Sequence, residues 1–91
     1  MTTNVSQVGL LAIEAHHYKR LRRQAKYRLE SAYSNWKSAN RVFDRIERDS
    51  PEWNAMMEGT HDEYLALEDA KRHERNAQAR LERAIAKGVT V

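Results

Sequence analysis

The chain has no cysteine, one proline and three glycines in its 91 residues. Without cysteine there is no disulfide framework and no thiolate chemistry, and either a reducing or an oxidising compartment remains open. So few prolines and glycines leave little to break a helix. Hydrophobic residues, at 41%, are too few for a large single core. No apolar run approaches the ~20 residues that span a bilayer, so no membrane association is expected. The opening Met1-Thr2-Thr3-Asn4 has no basic stretch, and Glu14 interrupts the apolar residues 8–15, so no signal peptide is expected either. These absences leave a soluble, cytoplasmic protein of one domain over residues 1–91.

What is present favours helix. Alanine, arginine, glutamate and leucine dominate, all good helix formers. Asn4 with Gln7 three residues on resembles a capping box, although Gly9 weakens that turn. From Leu11 to Asp49 nothing interrupts the pattern. At Asp49-Ser50-Pro51-Glu52, proline disfavours helical geometry at Ser50, and serine followed by proline and an acid is a good helix start. Gly88 after Lys87 marks the far end. The expected fold class is all-α: two long helices, about 5–49 and about 51–87, joined by a turn at 49–51 in an antiparallel hairpin. Gly59-Thr60 could split the second helix, with Thr60 capped against Glu63. The heptad phase carried from Trp53 through Tyr64 to Leu67 argues for one helix, kinked at Gly59.

Leu11, Tyr18, Ala25, Ala32, Ala39 and Ile46 form a sevenfold column on the first helix, and Trp53, Thr60, Leu67, Glu74 and Leu81 form its equivalent on the second. A tight turn would pair Ile46 with Trp53, Ala39 with Thr60, Ala32 with Leu67, Ala25 with Glu74 and Tyr18 with Leu81. Large residues then mostly face small ones. The apolar stripe is wider than a two-helix seam needs. Tyr33, Trp36, Phe43, Trp53, Met56, Met57 and Tyr64 cannot all be covered by one facing helix. The expected remedy is a homodimer forming a four-helix bundle, with this surface serving self-association or a protein partner.

Charge divides along the chain. Residues 15–28 hold Lys19, Arg20, Arg22, Arg23, Lys26 and Arg28 with no acid. Residues 70–88 hold Lys71, Arg72, Arg75, Arg80, Arg83 and Lys87 against Glu74 and Glu82, whereas residues 29–69 carry ten acids against four basic residues. The hairpin therefore has a basic open end and an acidic turn end, within a net charge of +3. Charge runs on helices are usually solvated faces. Here, however, Lys19 with Arg23, Arg22 with Lys26 and Lys71 with Arg75 repel at i,i+4, unlike Glu68 with Arg72 or Asp44 with Arg48. An anionic partner such as nucleic acid would relieve that repulsion, and Tyr18, Tyr27, His16 and His17 could stack on bases. Glu74, placed between Arg22 and Arg28, fits a role in alignment.

No catalytic or metal constellation is expected. Glu58-x-x-His61 has the spacing of a di-iron bundle ligand pair, but the facing residues would be Ser38 and Arg41. His73-Glu74 lacks a second histidine, and His16-His17 point about 100° apart on a helix. A slender hairpin also lacks the concavity of a substrate site. Neither an enzyme, a cofactor nor a small-molecule substrate is expected.

In architecture the chain resembles the small plasmid-encoded helical hairpin that dimerises and binds paired RNA loops. Tyr64-x-x-x-Glu68 resembles the tail signal of the WXG-type secreted hairpins. The turn, however, reads Trp53-Asn54-Ala55 without that family's glycine, and Tyr64 lies inside the second helix, so no family is assigned. The size and composition suit an accessory protein of a phage or plasmid. The leading expectation is a non-catalytic adaptor that self-associates and binds a protein partner. The alternatives are nucleic-acid binding through the basic end and a structural subunit of a larger assembly.

Overall fold

The computed structural model describes residues 5–88. Three helices follow one another, α1 (Val5–Ala39), α2 (Pro51–Gly59) and α3 (His61–Gly88), and there is no strand among the described residues. The capping pair expected at Asn4 falls outside the described residues. α1 lies antiparallel along α3, and α2 covers its last turns, giving a rod 61 Å long and about 19 Å across.

α1 ends ten residues earlier than the expected 49, and backbone geometry shows why. The Val42 amide donates to the Lys37 carbonyl at 2.8 Å, and the Arg41 amide to that of Ser38 at 3.2 Å. Together these bonds form a Schellman cap. It needs a left-handed residue, and Arg41 supplies it with φ 54°. Asn40 reinforces the stop, its backbone and side-chain amides both donating to the Trp36 carbonyl. The expected turn at 49–51 is instead an eleven-residue connection, 40–50. Its end is as expected. Ser50 is extended, its hydroxyl accepts from the Trp53 amide at 3.1 Å, and Pro51 opens α2 with Glu52 beside it.

The second arm is not one continuous helix. Thr60, with φ −117° and ψ 18°, separates α2 from α3. The ladder still runs through it: the Thr60 amide donates to Met56 and the Tyr64 amide to Thr60. The Thr60 hydroxyl also donates to the Met56 carbonyl at 2.7 Å. Gly59 is helical rather than left-handed. It lies so close to Trp36 that a β-carbon there would stand 3.0 Å from the indole. Gly88, expected just beyond the end, is still helical.

The earlier turn shifts the register. Arg22 meets Glu74, Glu14 meets Arg80, Tyr18 stacks on His73 rather than facing Leu81, and Tyr33 reaches Met57. Ala25 shares a shallow hollow with Asp62, Glu63 and Ala66 instead of facing Glu74. Partners on the second arm thus lie one to two turns nearer the connection than a turn at 49–51 would place them. The seam is thin. Ala15, Leu29, Met56, Leu67, Ala77 and Ala84 are its buried apolar residues, with Thr60 the buried polar one.

Candidate interaction surfaces

The basic surface is built by the middle of α1 and the facing part of α3. Its centre is the Arg22–Glu74 pair, 2.7 Å apart, with each side chain about one-quarter exposed. Lys19 and Arg23 lie near enough to act on the same carboxylate. The Arg22 hydrogen bond, then the charges of Arg22, Lys19 and Arg23, hold the Glu74 carboxyl below its ordinary value against partial desolvation. The same bond raises the Arg22 guanidinium. Glu74 therefore pairs with Arg22 across the hairpin, one turn from its expected position.

Acids already answer several of the other basic residues. Arg80 binds Glu14 across the hairpin, Lys71 pairs with Glu68 at 3.4 Å, and Arg72 pairs with Asp69. Glu68 thus takes Lys71 rather than Arg72. Asp44 and Arg48 lie in the connection, where i,i+4 spacing no longer places them on one helix face. Among the described residues, Arg20, Lys26, Arg28, Arg75 and Arg83 have neither an ion pair nor a side-chain hydrogen bond, and all five are exposed. Of the aromatic side chains expected among them, Tyr27 is 71% exposed, whereas Tyr18 is sandwiched edge-on by His17 and face-on by His73, with centroids 5.4 and 5.6 Å away. By sequence His73 was weighed only as part of a metal motif, not as a partner of Tyr18. Its signal was the heptad spacing Ala66, His73, Arg80 beside the main column.

The turn-end surface is smaller than expected because its members cover one another. Met56 is buried, so it belongs to the seam and not to a free surface. The Tyr33 hydroxyl points at the Met57 sulfur, 4.0 Å away, and burial followed by the nearby Tyr64 pushes the phenol's pKa up. Trp36 rests on Gly59, and Trp53 is half-buried. Tyr64 stays exposed at the edge, and Phe43, carried by the irregular connection, is 81% exposed. Phe43, Val42 and Ile46 line an open hollow with Arg41, Asp44, Arg45 and Glu47.

Glu58 and His61 now sit in different helices on either side of Thr60, so their spacing no longer describes one helical face. Among the described residues no three histidine or carboxylate side chains converge as a metal site, and no helix is long and apolar enough to cross a membrane. Compared with known protein families, characterised proteins and solved structures, the chain matches none of them.

Proposed function

We propose that the chain is a non-catalytic helical adaptor that self-associates and offers its turn end to a protein partner. One observation carries this reading: the large apolar side chains left exposed outnumber those buried. Leu29, Met56 and Leu67 are the buried apolar side chains larger than alanine among the described residues, whereas Leu10, Ile13, Tyr27 and Phe43 are 67–81% exposed. With three large apolar side chains buried among the described residues the seam is thin, and covering the exposed ones would add to it. The chain has no cysteine for a disulfide and, among the described residues, no cluster of metal ligands. Association with another chain is the remaining way to cover that surface.

Light scattering at micromolar concentration should give about twice the 10.7 kDa chain mass. Pull-down from nuclease-treated native extract should recover a protein that Phe43→Ser no longer captures. Equal capture by both forms would rule out the turn end as the contact.

The five unpaired basic side chains favour a second reading, a nucleic-acid surface at the open end. Single-stranded RNA should then bind weakly and lose affinity steeply as salt rises. Reversing Arg20, Arg23 and Lys26 to glutamate should abolish that binding. No binding at low salt would end this reading.

A further inference from the structure

Two contacts and one hollow mark an edge of the hairpin: Glu14 binds Arg80, Tyr18 stacks on His73, and Ala25 and Ala66 line the same hollow. Along that edge of α1, steps of three and four residues run from Leu10 through Glu14, His17, Leu21, Ala25 and Arg28 to Ala32. Such steps keep one face of a helix. Leu10 is 68% exposed and Leu21 38% exposed, although both are leucines on a regular helix.

The stripe is self-complementary about Leu21. When a second α1 lies across it in the opposite direction, Leu21 meets the second copy's Leu21, Leu10 meets Ala32, Glu14 meets Arg28 and His17 meets Ala25. Large therefore faces small and acid faces base. The small positions are already hollows: Ser31, Ala32 and Asn35 line one, and Ala25 with Ala66 lines the next. The charges are available as well. Both bonds from Arg80 go to Oε1 of Glu14, which leaves Oε2 for another donor, and Arg28 has no partner among the described residues.

We propose that this stripe is the seam on which a second copy of the chain docks, antiparallel, to complete a four-helix bundle. The proposal rests on the self-association read above and adds its face and direction. Charge selects the direction. A parallel pair would set Glu14 on Glu14 and Arg28 on Arg28. Pairing about Leu21 lays the basic residues 15–28 along the same stretch of the other copy in either direction, so the direction rests on the two Glu14–Arg28 pairs that only the antiparallel arrangement makes. From Leu10 to Ala32 the stripe runs about 33 Å, more than half of the 61 Å rod. Such a rod carries one Phe43-bearing connection at each end, so it could hold two partner molecules at once.

Because the parent has no cysteine, singly substituted chains report the arrangement directly under mild oxidation or with a short thiol cross-linker. A mixture of Leu10→Cys and Ala32→Cys chains should give the mixed dimer, and Leu21→Cys should link to itself. Leu10→Cys alone should not. Leu21→Glu sets two carboxylates against each other on the axis and should weaken dimerisation at least about tenfold. Its helix content should not change, because Leu21 is exposed in the single hairpin. Self-linkage of Leu10→Cys would show a parallel pair and overturn the proposal. A dimer by light scattering that forms none of these links uses another face and overturns the seam, while self-association stands. A monomer overturns both.

Discussion

Gly59→Ala is the sharpest test of the packing, because two effects of known sign oppose each other there. Gly59 is helical, so alanine should gain about 1 kcal/mol in helix propensity. The added β-carbon would stand 3.0 Å from both Cδ1 and Nε1 of Trp36, where carbon contacts ordinarily rest at about 3.5–4.0 Å. The indole must therefore withdraw by about half an ångström from its place against α2. Forced overpacking of this kind costs about 1–3 kcal/mol. The net expectation is a loss of about 1 kcal/mol, opposite to the gain that sequence alone favours. A double-mutant cycle isolates the cause. In a Trp36→Leu background the obstruction is gone, and the same glycine substitution should stabilise by about 1 kcal/mol. Urea unfolding followed by circular dichroism measures all four proteins, at one fixed concentration because association shifts apparent stability. If Gly59→Ala stabilises both backgrounds equally, Trp36 does not rest on Gly59 and the register falls with it.

Arg41→Gly should stabilise by up to about 1 kcal/mol, since a left-handed residue without a β-carbon is unstrained. Had α1 continued through this position, the same change would destabilise by a similar amount, so the sign in a thermal melt locates the end of the helix. Glu74→Gln should cost about 0.2–1 kcal/mol at neutral pH, a figure reduced by the pair's exposure to solvent. The Glu74 carboxyl is held below its ordinary value of 4.5 in the fold. Its contribution is therefore present above that value and lost as pH falls through the depressed one, so the difference in melting temperature between the two proteins should shrink as pH is lowered below 4.5. Thr60→Val should cost about 0.5–1.5 kcal/mol through the lost hydroxyl bond. A larger loss would mean that the Met56 carbonyl depends on that hydroxyl more than on the Thr60 amide.

Much of the fold was legible because side chains announced it. Ser50-Pro51-Glu52 starts a helix by its chemistry, and the structure caps it there. The other end of the connection gave no such signal. A Schellman stop usually shows as glycine, but here arginine takes the left-handed position. Meanwhile Val42, Phe43 and Ile46 continue the heptad of α1 in phase, so periodicity ran on where the backbone had turned. Residues 40–50 therefore read as helix. Thr60 was harder for a related reason. The hydrogen-bond ladder survives there while the dihedral angles do not, and a sequence pattern reports only the ladder.

The two candidate surfaces depended on that misplaced turn to different degrees. The charge division rests on which arms lie side by side, and a shift of one to two turns keeps Tyr18 and Arg22 beside His73 and Glu74 in the basic stretch of α3 but sets Ala25 and Arg28 beside Asp62 and Glu63. It changes individual pairs, so that Arg80 answers Glu14 and Arg28 is left unpartnered. The aromatic surface depends on single side chains, and the same shift altered it far more. Tyr33 and Trp36 now press on Met57 and Gly59, closing the turn end of the seam that was expected to stay open. Phe43 was placed beside the helical seam and is instead the most exposed large apolar residue of the described chain, because α1 ends at Ala39. The left-handed arginine that hid the end of the helix from sequence is thus also what leaves Phe43 open to solvent.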